Sequence, residues 1–151
     1  MKRILIVEDE AILLRATAAA LRASGFSVET ACGGEEALAL IAERSFDVAL
    51  VDLMMPRMSG LELIRAFQAR APGLRVVLTS SFPMTCGQIA RLGLGHVRFV
   101  PKPMPLSDLV AALEMPDSAA LAIPAAAPIG LGPATPPGGT SRRAEAPSPR
   151  R

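Results

Sequence analysis

Four short polar motifs each follow an apolar, strand-like run, and their residue types suit phosphoryl transfer. They are Glu8-Asp9 after residues 4–7, Asp52 after 48–51, Thr79-Ser80-Ser81 after 76–78, and Lys102-Pro103 after 97–100. Carboxylates are the hard oxygen ligands that Mg²⁺ prefers, an aspartate can act as a nucleophile, and lysine and serine can bind phosphoryl oxygens. We therefore expect a site that holds a divalent metal and accepts a phosphoryl group on Asp52.

Each motif alone has a simpler structural explanation. An aspartate at a strand end is often only a turn former, and Glu8-Asp9 could cap the helix that follows. Lysine before proline is usually an exposed base, and we expect no catalytic role for His96, the only histidine. The conjunction of four motifs at four strand ends favours the functional interpretation. A tight turn containing Pro56 and Gly60 should leave the acceptor exposed.

Strands and helices are predicted to alternate along residues 1–115. The predicted strands are 4–7, 27–31, 48–51, 76–78 and 97–100, and the predicted helices are 10–24, 35–44, 59–70, 84–92 and 108–114. Gly25 should end the first helix, and Ser107 should cap the last, which Pro116 stops. The expected inner faces are Leu14, Ala18 and Leu21 in the first helix and Leu61, Ile64 and Phe67 in the third. Five β-α units predict a parallel sheet with helices on both faces. Ligands of such sheets bind beyond the carboxyl ends of the strands, where all four motifs lie.

Composition and charge exclude several classes of protein. The chain has 151 residues, and no apolar run approaches the roughly 18–20 residues that span a bilayer. The apolar run near Met1 ends after four residues, which is too short for a signal peptide. We therefore expect a cytoplasmic protein. Residues 1–115 carry 12 basic and 12 acidic residues, which gives no electrostatic case for nucleic acid binding. Cys32 and Cys86 lack metal-ligand spacing and are expected to be free thiols.

Composition changes sharply at Pro116. From there to Arg151, 8 of 36 residues are proline, 4 are glycine and 9 are alanine. Such a segment cannot bury enough apolar surface to offset its ordering entropy. The sequence therefore predicts a folded domain over 1–115 and a disordered tail or linker over 116–151.

The four motifs together resemble the receiver domain of two-component response regulators across residues 1–115. The segments that carry the resemblance are 4–10, 51–62, 78–81 and 99–103. The resemblance implies a flavodoxin-like, doubly wound α/β fold that takes phosphate from a sensor histidine kinase or phosphotransfer protein onto Asp52. By the same resemblance, Mg²⁺ would be bound by Glu8, Asp9, Asp52 and the backbone carbonyl of Met54. Lys102 and Ser80 would contact the phosphoryl oxygens. Ser80 and Phe99 would form the switch pair. Ser80 is preferred to Thr79 because it lies 22 residues before Lys102, as in the family.

Several features depart from the family pattern. The acid pair begins with glutamate, and the aromatic switch residue is phenylalanine. The last helix is short, and for that reason we expect at most a weak homodimer on phosphorylation. Met54 and Phe82 occupy the two positions that influence the hydrolytic water in the family. Neither side chain binds water strongly, so slow self-dephosphorylation is expected.

The favoured interpretation is a single-domain receiver. It would act as a phosphorelay intermediate or a protein-interaction module rather than as an enzyme. The sequence does not identify its downstream target. One alternative is a truncated transcription regulator in which 116–151 leads to a missing output domain. Another is the receiver of a hybrid kinase, against which a start at Met1 argues. A small phosphatase is disfavoured because no second acid follows Asp52 in an Asp-x-Asp pattern.

Overall fold

The computed structural model describes residues 1–95 and 97–116. Within them, strands and helices alternate as predicted: β1 (Arg3–Val7), α1 (Ala11–Ala23), β2 (Ser27–Ala31), α2 (Gly34–Glu43), β3 (Val48–Asp52), α3 (Gly60–Arg70), β4 (Arg75–Ser80), α4 (Cys86–Arg91), β5 (Arg98–Pro101) and α5 (Leu106–Glu114). His96 and all of the predicted tail except Pro116 lie outside the described residues. The boundary at residue 115 therefore stays a prediction.

The five strands form one parallel sheet in the order β2-β1-β3-β4-β5. Apolar side chains cover both faces because alternate residues of each strand point to opposite sides. In β3, Val48 and Leu50 belong to a first core cluster with α1 and α5, whereas Ala49 and Val51 belong to a second cluster with α2 and α3. The predicted doubly wound architecture is confirmed.

The end of α1 is fixed by Gly25, as predicted. Gly25 adopts a φ of 91°, a conformation that favours glycine. Its N–H donates to the Arg22 carbonyl at 3.0 Å, and the Phe26 N–H donates to the Leu21 carbonyl at 3.1 Å. This Schellman arrangement satisfies carbonyls that the helix leaves unpaired. Leu14, Ala18 and Leu21 are buried, which confirms the expected inner face.

Two predicted helix caps are wrong. Helix α5 begins at Leu106, with Pro105 at the N-cap position, so Ser107 lies inside the helix. Proline there has φ −61°, which leads directly into a helix without a side-chain cap. Likewise, α1 has Glu10 rather than Asp9 at its N-cap position, and no side chain caps that helix.

Helix α3 differs slightly from its predicted inner face. Leu63, Ile64 and Phe67 are fully buried, whereas Leu61 is only half-buried at the margin of the second cluster. The buried face of α3 is therefore rotated slightly around the helix axis from the face that the sequence predicted. A capping box of Ser59 and Glu62 begins the helix, which fixes the direction in which the chain leaves the β3 strand end.

Candidate functional site

The register of the sheet brings the four motifs to one edge. Val7 pairs with Val51, Asp52 with Thr79, and Ser80 with Pro101. Because all strands are parallel, the residues that end β1, β3, β4 and β5 meet at the carboxyl edge. Strand β3 lies between β1 and β4, so Asp52 stands between the acid pair and the hydroxyl residues.

Glu8, Asp9 and Asp52 form a cluster of carboxylates. One oxygen of each lies within 4.8 Å of the others. Glu8 and Asp52 are buried, with 5% and 7% of their surface exposed, whereas Asp9 is exposed. A set of hard oxygen donors with one side open to solvent suits Mg²⁺, which usually keeps several waters.

Lys102 joins the two buried acids. Its Nζ donates to Glu8 Oε2 at 2.6 Å and to Asp52 Oδ2 at 3.0 Å. Burial raises the pKa of Glu8, and the charge of Asp52 raises it further, although the hydrogen bond from Lys102 opposes this. Burial lowers the pKa of Lys102, but its hydrogen bonds to Glu8 and Asp52 outweigh that effect and raise it. Lys102 is therefore cationic at neutral pH.

Asp52 is more enclosed than the sequence indicated. It is the last residue of β3 and is buried, which corrects the expectation of an exposed acceptor. The enclosure has a local cause, because Asp52 Oδ1 accepts the Met54 N–H at 3.0 Å while Oδ2 accepts from Lys102. Met54 as a whole residue is 58% exposed. The Met54 N–H is not recognisable from the sequence as a partner of Asp52, because every residue except proline carries such a donor.

The turn from β3 to α3 allows the close approach of the helix to the acceptor. A Cβ on Gly60 would collide with the backbone carbonyl of Asp52 and lie 2.8 Å from Leu53 Cα. The Gly60 N–H donates to the Leu53 carbonyl at 3.0 Å. Arg57 in the same turn has a φ of 67°, which is uncommon for a residue other than glycine. Glycine at position 60 is thus a steric requirement of the site.

Ser80 and Phe99 lie on the face of the sheet that carries the second cluster. Ser80 is completely buried, and its Oγ accepts the Phe82 N–H at 3.0 Å. Phe99 is 5% exposed and pairs in register with Leu78. Among the described residues, Ser80 makes no side-chain hydrogen bond to Asp52 or Lys102. The structure therefore brings the acids and the lysine into contact and places the hydroxyl beside them without a direct bond.

Comparison with proteins of known structure gives the same fold. The chemotaxis protein CheY4 of Vibrio cholerae matches with a TM-score of 0.69 and 26% identity, over 75% of this chain and 96% of that one. The response regulator TrrA of Thermotoga maritima, in complex with Mg²⁺-BeF, matches with a TM-score of 0.65 and 27% identity, over 75% and 99%. The sequence profile of the response regulator receiver domain matches residues 4–114. The chain belongs to the response regulator receiver family.

Curated relatives of this receiver are longer proteins. Response regulator MprA of Mycobacterium sp. (strain KMS) is 34% identical over 129 residues, which cover 79% of this chain and 56% of the relative. The probable transcriptional regulatory protein TcrX of Mycobacterium tuberculosis is 34% identical over 111 residues, covering 74% and 47%. The chain thus spans about half the length of the curated relatives it matches.

Membership in the family shows the general class of protein to which the chain belongs. Receiver domains are signalling modules of two-component systems, and response regulators interact with histidine kinases or phosphotransfer proteins. Over the part of the chain that the structure describes, no helix has the length and apolar character needed to cross a membrane.

Proposed function

We propose that this receiver accepts a phosphoryl group on Asp52 from a sensor histidine kinase or a phosphotransfer protein. The position of Asp52 supports the assignment, because β3 alone among these strands lies between the acid pair and the hydroxyl residues. Glu8 also bonds to Lys102, but it follows β1, which lies one strand further from Ser80. Asp52 therefore has an acidic metal-binding flank on one side and donors for phosphoryl oxygens on the other.

Phosphotransfer forms a bond between a carboxylate oxygen of Asp52 and phosphorus while the bond from phosphorus to the donor breaks. An ammonium group has three N–H donors, and Glu8 and Asp52 occupy two of those of Lys102. The third can pair with a phosphoryl oxygen. Glu8, Asp9, Asp52 and the Met54 carbonyl would hold Mg²⁺, which when bound screens the repulsion between carboxylate and phosphoryl charges.

The signal would leave the site through Ser80 and Phe99. The Ser80 hydroxyl can donate to a phosphoryl oxygen if it turns toward Asp52, which loosens its contact with the Phe82 N–H. That change shifts the segment between β4 and α4. Helix α4 has six residues, none of which is buried, and only Ile89 of them packs against the second cluster, so little apolar contact opposes its movement. Phe99, on the same face of the sheet, would then repack, and partner proteins would recognise the altered surface of α4, β5 and α5.

A second candidate function is suggested by the length of the relatives. If the natural protein continues beyond residue 151, we propose that this receiver controls a further domain; TcrX, of which the matched segment covers 47%, is named a probable transcriptional regulatory protein. The gene sequence after codon 151 decides between a single-domain receiver and the receiver of a longer transcription regulator.

Incubation of the full chain with phosphoramidate and Mg²⁺ tests the assignment of Asp52. Wild type should take up phosphate and Asp52→Asn should not. Asp47→Asn is the matched control, because Asp47 precedes the same strand at the opposite edge, where it accepts the Arg3 N–H at 2.7 Å. Uptake by Asp52→Asn equal to that of the control would refute the proposal.

A further inference from the structure

A cleft of about 570 Å³ lies between α1 and α5, next to the carboxyl edge of the sheet. Its floor comes from Ile6, Leu50 and Thr79, on three neighbouring strands. Its walls include Ala16 and Ala20 of α1, and Leu109 of α5. Small-molecule sites commonly have volumes of roughly 300–1,000 Å³ and combine apolar walls with a few polar groups. The cleft has these dimensions and this kind of lining.

Small side chains on α1 leave this space open. Ala16 and Ala20 are one helical turn apart and so line the same side of the cleft. Each contributes only a methyl group at a place where a larger aliphatic side chain would fill the gap. The space between the two helices therefore exists because these two residues of α1 are alanines. An apolar ligand of matching width would bury both of them.

The floor of the cleft carries a hydroxyl that lacks a partner. Thr79 is 3% exposed, and within the described residues its Oγ1 is buried without a hydrogen bond. Strand alternation places its side chain on the same face as Val77, which is the face that α1 and α5 cover. A buried hydroxyl without a partner is unfavourable. Rotation about χ1 can bring Oγ1 toward the cleft, where a ligand oxygen would relieve that cost.

The charges at one end of the cleft determine which ligands it can accept. Glu8 and Lys102 line that end, and Asp52 also bonds to Lys102. Two buried carboxylates facing one ammonium leave an excess of negative charge. In the absence of Mg²⁺, a ligand with a carboxylate or phosphate head would be repelled there, whereas a neutral hydroxyl or carbonyl would not.

We propose that this cleft binds a neutral amphiphilic small molecule beside the phosphoacceptor site. Its aliphatic body lies between Ala20 and Leu109, and its single polar group hydrogen-bonds to Thr79. Such a ligand would contact Lys102 and Glu8 at its polar end, so its binding and the occupancy of the acidic site would influence each other. The proposal does not depend on phosphorylation, because binding is measured directly on the unphosphorylated chain.

Octan-1-ol is a suitable probe for the full chain, with amide chemical shifts as the readout. Saturable shifts are expected at Ala16, Ala20, Thr79 and Leu109. In buffer that contains a chelator and no Mg²⁺, sodium octanoate should bind at least about tenfold more weakly, because its head is anionic. Thr79→Val should weaken octan-1-ol binding by about tenfold, as expected for one lost hydrogen bond. The melting temperature of unliganded Thr79→Val should be equal to or above that of wild type, because the buried hydroxyl is gone.

A pair of cavity-filling variants completes the test. Ala20→Leu should abolish octan-1-ol binding, whereas Ala19→Leu, on the exposed side of α1, should bind like wild type. Equal binding by both variants would overturn the proposal, as would octanoate binding more tightly than octan-1-ol. Absence of saturable octan-1-ol binding to wild type would also overturn the proposal, and binding of a peptide of residues 117–131 in that case would show that the cleft accepts a peptide segment instead.

Discussion

At the scale of single residues, Lys102 sets the charge balance of the acidic site. It bonds to both buried carboxylates, yet burial still raises the pKa of Glu8. Because the pKa of Glu8 is higher in the folded state, Glu8 stabilises the fold at pH values below its unfolded pKa of about 4.5. This stabilisation is lost as the pH rises through the pKa of Glu8 in the folded protein. Without a metal, ionisation of Glu8 therefore lowers the stability of the fold relative to the protonated form.

Glu8→Gln should remove this pH dependence. In chelator-treated protein, the free energy of unfolding of the variant minus that of wild type should increase as the pH rises from 4 to 8. The raised pKa of Lys102 adds no slope in this range, because its contribution is lost only at alkaline pH. Urea unfolding at several pH values measures the difference. A difference that stays constant or decreases would show that Glu8 ionisation is not costly in the folded state.

Met54 and Phe82 bear on the lifetime of the phosphorylated state. Their backbone N–H groups bond to Asp52 Oδ1 and Ser80 Oγ, which fixes both residues beside the acceptor. The two residues are 58% and 63% exposed. Their side chains offer a water molecule no strong hydrogen bond. Met54→Asn combined with Phe82→Glu should therefore speed hydrolysis by about tenfold, or ~1.4 kcal/mol of barrier. The loss of radiolabelled phosphate over time measures this, and equal rates in wild type and the double variant would contradict it.

At the scale of elements, the turn between β3 and α3 positions the acceptor. Gly60 permits the start of α3 to contact the backbone of Asp52 and Leu53. Gly60→Ala should destabilise the fold by about 1–3 kcal/mol and slow phosphorylation, because the added Cβ must displace the strand end. Gly73→Ala is the control, since a Cβ there meets nothing within 4 Å. Denaturant unfolding and phosphoramidate uptake give both readouts, and similar behaviour of the two variants would argue against the steric requirement.

The elements also show what sequence can predict. Continuous apolar runs such as 48–51 identify buried parallel strands, because both faces of the sheet are covered. Gly25 identified the end of α1 because a left-handed residue there strongly favours glycine. The caps of α1 and α5 were wrong because several neighbouring residues can occupy the N-cap position, and tertiary contacts decide among them. Ser59, which forms a complete capping box with Glu62, was within the predicted helix rather than named as its cap.

At the scale of the whole molecule, the sheet brings together groups that are far apart in the chain. The position of the motifs after their strands was sufficient to predict that Glu8, Asp52, Ser80 and Lys102 share one edge. The burial of Asp52 and the cleft beneath Thr79 were not predictable. Both depend on which side chains of different elements meet, such as the small residues of α1 against Leu109, and no local pattern records that.

Divalent metal should stabilise the entire fold. Three carboxylates within 4.8 Å repel one another, and a Mg²⁺ ion held by them would relieve that repulsion only in the folded state. At about 100 times the dissociation constant, Mg²⁺ should add ~2.7 kcal/mol to the free energy of unfolding. The melting temperature should rise with Mg²⁺ in wild type and in Glu10→Ala, whose carboxylate is outside the cluster, but much less in Asp9→Ala. Equal responses of the two variants would remove Asp9 from the metal site.

Mass spectrometry of the phosphorylated full chain can show whether Asp52 carries the phosphoryl group. Reduction with borohydride converts an aspartyl phosphate to homoserine and so marks the acceptor permanently. Cleavage after Arg44 and Arg57 releases the peptide 45–57, which contains both Asp47 and Asp52. Fragmentation of this peptide should place homoserine at position 52 and leave aspartate at position 47. Homoserine at position 47, or an unmodified peptide in protein that has taken up phosphate, would contradict the assignment of Asp52.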